Sequence, residues 1–244
     1  MAAPSVAMVA LIPARAGSQR ILRKNVRRLA GQPLIRYAIH AAQQSLTFSA
    51  IWVVTDDPEI EQIALEAGVP VMKRSPATAT DDAPDILWLR EWLQAHGTKV
   101  PAVAILRPTA PFRTAATIQR AYKQFIRQEV HSIRAVERSR QHPGKMWRLA
   151  NGCLVPILTE RHADMTPWHS SPTQTLPAVY VQNASLEMVW SYVVSSFGTI
   201  SGTKIAPFFT ENFEGFNLDD EADWTEAERL IATGLVALPT LAAL

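Results

Sequence analysis

The sequence has almost no cysteine, almost no net charge and no long apolar segment, and each of these features excludes a class of protein. Its 244 residues contain a single cysteine, Cys153, so they form neither an intrachain disulfide nor a cysteine-based zinc site. The net charge of +2, without a sustained basic run, argues against a general nucleic-acid binder. No stretch reaches the roughly 20 apolar residues that a membrane span needs.

The first apolar run, which ends at Pro13 and Arg15, lacks the pattern of a signal peptide. No basic residue precedes it and no small-residue cleavage site follows it. We interpret this run as a buried strand, and we expect a soluble cytoplasmic protein that binds neither nucleic acid nor membrane. The composition, 48% hydrophobic and 19% charged, is that of an ordinary globular chain whose length suits one large domain.

Strand-like runs alternate with helical patterns through the first half of the chain. The runs Met8–Pro13, Ala50–Val54 and Ala102–Leu106 are continuously apolar, as in strands that are buried on both faces. Helical spacing and capping residues predict helices that begin at Pro33 and that span Pro58–Ala67, Pro84–His96, Thr114–Gln128 and Glu221–Ala232. This alternation predicts an α/β fold with a mainly parallel, twisted sheet and helices on both faces.

The character of the sequence changes after Arg138. Histidine, proline, tryptophan, serine and glutamine accumulate, and helical periodicity fades until strand-like runs return at Val179–Gln182, Glu187–Val194 and Lys204–Phe209. We therefore predict one domain over residues 1–244 that contains an insertion of short strands and loops at 139–180. Its aromatic residues, Trp147, Trp168 and Tyr180, weakly favour a role in oligomerisation.

Three polar segments follow predicted strands: Ala14–Asn25, Thr55–Asp57 and Arg107–Arg113. Ligands of open parallel α/β sheets bind beyond the carboxyl ends of the strands, so we expect these segments to converge. The first segment places Arg15, Arg20, Arg23 and Lys24 around Gly17 and Ser18, which suits the phosphates of a nucleoside triphosphate. It is neither a P-loop nor a dinucleotide fingerprint, and the alternative is a solvated basic loop.

The run LIPARAGSQRILRKN, followed by GQPLI, resembles the opening motif of the acylneuraminate cytidylyltransferases, IPARGGSKGxxxKN and then GxPLI. Further matches to that family occur in order: VVTDDPEI, KRSPATATDDAP, LRPTAPFRT, HPGKMWRL, LPAVYVQNAS and FNLDDEADW. The resemblance covers roughly residues 7 to 232, and an ordered set of motifs is far more specific than any one of them.

The resemblance implies a Rossmann-like nucleotidyltransferase fold with a small β-rich dimerisation insertion. It implies a cytidylyltransferase that transfers CMP from CTP to the anomeric hydroxyl of a nonulosonic, sialic-acid-like 2-keto sugar acid and releases pyrophosphate. It also implies Mg²⁺ as cofactor and a homodimer in which the 139–180 arm helps to complete the partner's sugar pocket. The alternatives are a synthetase of the CMP-ketodeoxyoctonate type and a non-catalytic CTP-binding paralogue.

The matched motifs imply a role for particular residues. The positions implied to bind the nucleotide are Ala14, Arg15, Gly17, Ser18, Gln19, Lys24, Asn25, Arg74, Thr80 and Asp81. Those implied to contact the sugar are Arg107, Thr109, Arg113, Tyr180, Gln182 and Asn183. Arg15, Lys24 and Asp219 are the implied catalytic residues, and Asp219 with Asn217 the implied metal ligands.

The sequence departs from the family pattern at several of these positions. Asn217 replaces the first aspartate of the family's D-I-D, and Gln19 and Arg20 replace a lysine and a glycine. Arg107 replaces a glutamine, and an arginine there is able to pair with a substrate carboxylate. Thr173 replaces an arginine. Two acidic groups also have a structural interpretation: Asp57 as the cap of the Pro58 helix, and Asp219–Glu221 as the cap of the last helix.

Overall fold

The structure is a computed structural model that describes residues 6–80, 82–96, 99–159 and 166–239. It divides into two compact units, one formed by Met1–Ala135 with Asn183–Leu244 and the other by Val136–Gln182, and each is described by itself. The strands are β1 (Met8–Pro13), β2 (Arg28–Leu29), β3 (Gln32–Pro33), β4 (Ala50–Thr55), β5 (Val71–Lys73), β6 (Ala102–Ile105), β7 (Ser132–Arg138), β8 (Trp147–Ala150), β9 (Cys153–Pro156), β10 (Tyr180–Trp190) and β11 (Ile205–Phe209). The α-helices are α1 (Leu34–Gln44), α2 (Pro58–Glu66), α3 (Asp85–His96), α4 (Ala115–Arg127), α5 (Ser191–Phe197) and α6 (Glu221–Ala232).

A seven-stranded sheet in the order β11-β7-β10-β6-β1-β4-β5 forms the centre of the first unit, as far as the described residues show. Strand β1 pairs in parallel with β4 and β6, and β4 pairs in parallel with β5. Strand β10 runs antiparallel to β6. The predicted mainly parallel sheet is therefore confirmed. Because β6, β1, β4 and β5 run in the same direction, their carboxyl ends lie at one edge of the sheet.

Both faces of the sheet are covered by helices, as the continuously apolar strands predicted. Met8, Ala10 and Ile12 of β1 contribute to a core that includes residues of α1, α2 and α4. Val9 and Leu11 point to the opposite face and join a second core with residues of α3 and α5. Side chains alternate along a strand, so a strand that is apolar at every position needs a partner layer on each side.

A third apolar cluster fixes the polar loop after β1 against the last helix. Ile21 and Leu29 from the region between β1 and α1 pack with Leu218, Trp224 and Leu230 around α6, and all five side chains are buried. The guanidinium of Arg27 also lies 4.2 Å from the centre of the Trp224 ring. The packing brings residues 15–25 beside residues 217–219, although the two segments lie about two hundred positions apart in the chain.

Capping side chains explain where three of the α-helices begin. Asp57 caps α2 by accepting hydrogen bonds from the backbone nitrogens of Glu59 and Ile60, and Gly68 follows that helix with φ +71°. Thr114 forms a capping box at the start of α4. Asp220 caps α6 by accepting from the backbone nitrogens of Ala222 and Asp223. The predicted bounds of α6, Glu221–Ala232, are those of the structure.

The prediction of a strand over Glu187–Val194 was wrong at its C-terminal half. A single strand, β10, runs through to Trp190, and a helix, α5, begins at Ser191. The valines that favoured a strand, Val193 and Val194, are buried against α3 in the second core, so tertiary packing outweighs their local preference. Gly198, in the left-handed conformation, follows this helix.

The second unit contains an antiparallel hairpin of β8 and β9, which turns at Asn151 and Gly152, both with positive φ. Around it, the Nζ of Lys145 donates to the carbonyl oxygens of His169 and Ser171 at 2.8 and 2.6 Å. The predicted insertion at 139–180 lies within this unit. No helix among the described residues of the chain is long and apolar enough to cross a membrane.

Candidate active site

A cleft of about 580 Å³ opens at the carboxyl edge of the parallel strands. Residues from the loops after β1, β5 and β6 line it together with the segment that precedes α6. The lining consists of Pro13, Arg15, Ser18, Gln19, Arg20, Ile21, Lys24, Asn25, Arg74, Ala83, Asp85, Arg107, Pro108, Thr109, Ala184, Asn217 and Asp219. Two of the three polar segments expected to converge, Ala14–Asn25 and Arg107–Arg113, therefore contribute to one cleft.

The third segment, Thr55–Asp57, does not line the cleft but holds one of its loops in place. Oδ1 of Asp56 accepts a hydrogen bond from the backbone nitrogen of Ala16 at 2.9 Å, which ties the loop after β1 to the end of β4. A guanidinium nitrogen of Arg15 donates to the carbonyl oxygen of Thr80 at 3.0 Å. The amide of Asn25 donates to the carbonyl oxygen of Arg15 at 3.2 Å. Asp56 thus positions the basic loop, while Ala14 and Gly17 do not themselves line the cleft.

Lys24 is the half-buried cation of this loop. Its Nζ donates to the carbonyl oxygen of Leu218 at 2.8 Å, so its ammonium group is directed toward the segment before α6. Burial lowers the pKa of Lys24, Asp219 opposes that effect, and the neighbouring Arg20 and Arg15 lower the pKa again. A cation that burial and like charges make unfavourable gains stability when an anionic ligand binds beside it.

Arg74 lies at the border between this cleft and a neighbouring cavity of about 560 Å³, which Asp56 and Thr80 also line. Its guanidinium donates to the carbonyl oxygen of Thr78 and lies 6.0 Å from the centre of the Trp88 ring. Its Nε is buried without a hydrogen-bond partner in the part of the chain that the structure describes. Burial lowers the pKa of Arg74, against the raising effect of Asp85 and Asp56. Asp81, predicted to bind the nucleotide, lies outside the described residues.

Arg107 lines the cleft, but two carboxylates of the chain already engage it. Its Nη1 lies 2.6 Å from Oε1 of Glu187, and its Nη2 forms an ion pair with Asp85. Glu187, buried in β10, also pairs with Arg134 at 3.0 Å. Burial acts to lower the pKa of Arg107, but Glu187 and Asp85 raise it overall. Because both terminal nitrogens of its guanidinium are already paired, Arg107 is less able to bind a substrate carboxylate than the sequence alone suggested.

The other predicted sugar contacts are distributed between the two units. Thr109 lines the cleft, and its carbonyl oxygen accepts from the backbone nitrogen of Leu218 at 2.9 Å. Arg113 is buried behind the cleft, where it donates to the carbonyl oxygens of Arg107 and Ser185. Asn183 is held by Thr210 and by the backbone of Ser185 and does not line the cleft, although Ala184 does. Tyr180 and Gln182 are exposed residues of the second unit.

Arg113 carries a buried charge with little compensation. Burial, followed by the nearby positive charge of Arg107, lowers the pKa of Arg113 to about 9. Its Nε and Nη2 have no hydrogen-bond partner among the described residues. With only backbone oxygens around it, this side chain is held by hydrogen bonds rather than by an ion pair.

Asp219 is the carboxylate that faces the basic loop. Its Oδ1 lies 3.3 Å from a guanidinium nitrogen of Arg20, and its Oδ2 accepts from the amide nitrogen of Asn217 at 2.6 Å. The capping role falls to Asp220, which leaves the Asp219 side chain at the cleft. The amide oxygen of Asn217 is buried and has no partner among the described residues.

The chemistry of this donor set would fit a magnesium ion whose remaining positions were filled by phosphate oxygens or water. Mg²⁺ commonly binds through one or two carboxylates together with phosphate oxygens and water. Asp219 would supply one carboxylate, and Asn217 would supply one neutral oxygen if its amide, whose nitrogen now faces Asp219, were turned over. Elsewhere in the described residues, no cluster of three or more histidine, cysteine or acidic side chains offers a fuller metal site.

The cleft carries an excess of positive charge: Arg15, Arg20, Lys24, Arg74 and Arg107 face Asp85 and Asp219. Sequence reasoning did not assign a site role to Asp85 or Glu187. Asp85 followed Pro84 at a helix start and was interpreted only as part of that helix, whereas Glu187 lies inside a predicted strand. A charged residue in an otherwise apolar strand was the available signal for Glu187, because such a residue needs a buried partner.

Comparison with known proteins agrees with this geometry. The model of the cytidylyltransferase family matches residues 9–137, more than half of the chain, and the protein belongs to that family. The matched segment includes the basic loop and the three strands whose carboxyl ends form the cleft.

The chain is also similar to individual curated proteins and to a solved structure. The chain is 28% identical to N-acylneuraminate cytidylyltransferase A of Danio rerio over 91% of this chain and 50% of the relative. It is 39% identical to the CMP-N,N'-diacetyllegionaminic acid synthase of Legionella pneumophila over 52% of this chain and 53% of the relative. The chain thus spans about half the length of the curated relatives it matches.

The solved structure of a CMP:2-keto-3-deoxy-manno-octonic acid synthetase complexed with CTP superposes with a TM-score of 0.67 and 17% identity, over 93% of this chain and 99% of that one. At this identity the likeness shows the fold alone, which is that of the Rossmann-like nucleotidyltransferases.

Proposed function

We propose that this protein is a cytidylyltransferase that transfers CMP from CTP to the anomeric hydroxyl of a nonulosonic, sialic-acid-like 2-keto sugar acid. The observation that carries the proposal is the cleft at the carboxyl strand ends, where five cations face two carboxylates beside a loop of the family's opening motif. A triphosphate and a sugar carboxylate both bring negative charge to such a site. The family and the relatives named above support the choice of CTP and of the acid.

In the proposed reaction, the anomeric hydroxyl oxygen forms a bond to the α-phosphorus of CTP. The bond between that phosphorus and the bridging oxygen to the β-phosphate breaks, pyrophosphate leaves, and the hydroxyl proton passes to water. Arg15 and Lys24 neutralise charge on the phosphate oxygens, and Asp56 holds the loop that carries them. Fixed cations of this kind need no reorganisation as charge develops in the transition state.

Asp219 and Asn217 are the residues that would hold Mg²⁺. When bound, the ion supplies positive charge at the phosphate oxygens and helps to align them. Lys24, held by the carbonyl oxygen of Leu218, lies next to this segment, so its ammonium and the Asp219 carboxylate act on the same part of the nucleotide.

The test is pyrophosphate release from CTP and Mg²⁺ across a panel of nonulosonic and octulosonic acids, with ATP, GTP and UTP as nucleotide controls. We expect turnover with CTP and a nonulosonic acid, and its loss in Asp219→Asn. Turnover only with an octulosonic acid would support the CMP-ketodeoxyoctonate alternative. CTP binding with no turnover across the panel would favour a non-catalytic paralogue.

A homodimer in the cytoplasm belongs to the same proposal. CTP is a cytoplasmic metabolite, which motivates the location.

The β8–β9 hairpin of the second unit motivates the dimer, because its cross-strand pair Leu149 and Leu154 is 76% and 64% exposed. A two-stranded hairpin is marginal by itself, and two neighbouring leucines in water are typical of a surface that another chain covers.

A further inference from the structure

Both oxygens of the Asp219 carboxylate already face nitrogen donors of the same chain. Arg20 contacts Oδ1 at 3.3 Å, and the amide of Asn217 donates to Oδ2 at 2.6 Å. A divalent cation at Asp219 needs the same oxygen lone pairs, and it is repelled by a guanidinium at that distance. Arg20 and a metal ion therefore compete for one carboxylate.

The Asn217 side-chain amide would have one orientation when it donates to Asp219 and the opposite one when it joins Asp219 in holding a metal ion. With its nitrogen toward Asp219 it donates a hydrogen bond, and its oxygen is left buried without a partner among the described residues. Turned over, the amide would bring its oxygen toward a carboxylate oxygen, which is favourable only with a cation between them. The hydrogen bond from the Asn217 amide nitrogen is therefore incompatible with a metal ion held between the Asn217 oxygen and Asp219.

The contact between Arg20 and Asp219 is suited to exchange. The Arg20 side chain is 71% exposed and the Asp219 side chain 46%, and an ion pair so exposed to water is weak. A phosphate group offers a guanidinium two parallel hydrogen bonds and more negative charge than a single carboxylate oxygen does. Arg20 lines the same cleft as Arg15 and Lys24, within the loop that would hold those phosphates.

We propose that Arg20 is an internal counter-cation that holds Asp219 closed to divalent metal until a nucleoside triphosphate binds and draws the guanidinium to its phosphates. Metal and nucleotide then bind with positive coupling, and part of that coupling is due to Arg20. Linkage requires the effect to be reciprocal, so the metal strengthens nucleotide binding by the factor by which the nucleotide strengthens metal binding. The choice of CTP as the triphosphate rests on the proposed function, whereas the competition at Asp219 does not.

The first experiment measures Mn²⁺ binding to the nucleotide-free protein by electron paramagnetic resonance, so it needs neither turnover nor a sugar. We expect Arg20→Gln to bind Mn²⁺ about five- to tenfold more tightly than the wild type, because one positive charge beside the site is removed. Arg23→Gln is the matched control, since Arg23 lies in the same loop but pairs with Glu59. We expect it to leave Mn²⁺ affinity unchanged, and we expect the tighter binding of Arg20→Gln to be lost when Asp219→Asn is added to that variant.

The second experiment measures the reciprocal effect by titrating CTP into the protein in EDTA and in saturating Mg²⁺. The factor by which Mg²⁺ tightens CTP binding should be about five- to tenfold larger in the wild type than in Arg20→Gln. Equal Mn²⁺ affinities in the wild type and Arg20→Gln, or an equal shift in Arg23→Gln, would overturn the proposal. So would a gain in Mn²⁺ affinity in Arg20→Gln that survives the addition of Asp219→Asn.

The outcomes separate this proposal from the proposed function. A protein that releases no pyrophosphate with any acid, but shows the Arg20-dependent Mn²⁺ shift, retains the counter-cation and loses the enzymatic assignment. A protein that turns over CTP with no difference between Arg20→Gln and Arg23→Gln in Mn²⁺ affinity retains the activity and loses the counter-cation.

Discussion

At the scale of single residues, the cleft combines cations whose environments differ sharply. Lys24 is half-buried and its pKa is lowered, chiefly by burial, whereas Arg20 is exposed and pairs with Asp219. Arg107 is half-buried and is neutralised by Asp85 and Glu187. The positive charges of the cleft therefore have different roles. Lys24 is stabilised when an anion binds, Arg20 exchanges its carboxylate partner, and Arg107 stays paired with Asp85 and Glu187.

Lys24 should make nucleotide binding sensitive to alkaline pH. The phosphates need its ammonium form, and its lowered pKa means that this form is lost at a lower pH than for an ordinary lysine. We expect CTP affinity to fall as the pH rises toward and through that pKa, below 10.5. Titration calorimetry in EDTA from pH 7 upward measures this. Lys24→Arg should keep the charge and flatten the profile, and an unchanged profile in that variant would contradict the assignment.

The loss of the Lys24 charge altogether gives the size of its contribution at neutral pH. We expect Lys24→Met to weaken CTP binding by about 10- to 100-fold, the range for a hydrogen bond to a charged group. Arg28→Gln is a suitable control, because Arg28 is exposed and donates to the carbonyl oxygen of Gly31 within its own β2–β3 hairpin.

Glu187 should be essential for the stability of the first unit. Glu187→Gln removes the charge that Arg107 and Arg134 share inside the sheet and leaves two arginines less compensated. We expect a loss of about 2–4 kcal/mol in the free energy of unfolding, since one partner of a buried ion pair is removed. Urea unfolding measures it, with the exposed Glu66→Gln as control. Equal stability of the two variants would mean that the network contributes little.

At the scale of elements, a clasp joins helix α4 to the segment after β11. Glu214 accepts hydrogen bonds from Thr117 and Arg120 of α4 at 2.7 and 2.6 Å, and from the backbone nitrogen of Glu211 at 2.9 Å. Burial acts to raise the pKa of Glu214, but the hydrogen bonds from Arg120, Glu211 and Thr117 lower it overall. The segment that leads to Asp219 is thereby anchored to the sheet's helical layer.

This clasp predicts a specific dependence of stability on pH. Because the pKa of Glu214 is lower in the folded state, its carboxylate stabilises the fold above the ordinary value of 4.5, and that contribution is lost as the pH falls through the lowered pKa. Glu214→Gln should cost about 1–2 kcal/mol at pH 7 and progressively less below pH 4.5. Thermal unfolding at pH 7, 5 and 3.5 tests this, and a difference that stays constant with pH would contradict it.

The elements that sequence predicted well are those whose signals are local. The apolar runs of β1, β4 and β6 and the caps of α2, α4 and α6 each depend on residues a few positions apart, and the structure has them nearly as predicted. The break at Ser191 was missed because Val193 and Val194 favour a strand locally, whereas their burial against α3 is decided by residues about a hundred positions away.

The same distinction applies to the candidate site. The basic loop and Asp219 were found because their motifs are short and ordered. The ion pair of Arg107 with Glu187 was missed because Glu187 is eighty positions further along the chain. It lies on β10, which pairs antiparallel with β6. Spacing in a sequence therefore indicates which residues reach the strand ends, but not which of their charges are already neutralised there.

At the scale of the whole molecule, the proposed dimer leads to a prediction about one face of the β8–β9 hairpin. Trp147, Leu149 and Leu154 lie on the same face, because Leu149 and Leu154 are directly paired and side chains alternate along each strand. Arg148 lies on the opposite face. A charge introduced at Leu149 should therefore destroy a dimer contact through the apolar face, whereas a reversal of charge at Arg148 should not.

We expect Leu149→Glu combined with Leu154→Glu to shift the protein from dimer to monomer, since two like charges would face each other and their copies across the interface. Arg148→Glu should leave the mass unchanged. Sedimentation velocity over a hundredfold range of protein concentration measures the assembly, and circular dichroism shows whether each variant is folded. A wild type that sediments as a monomer throughout, or a folded double variant that remains dimeric, would remove this face from the interface. In the second case the dimer would depend on a different surface, and the exposed leucines would need another partner.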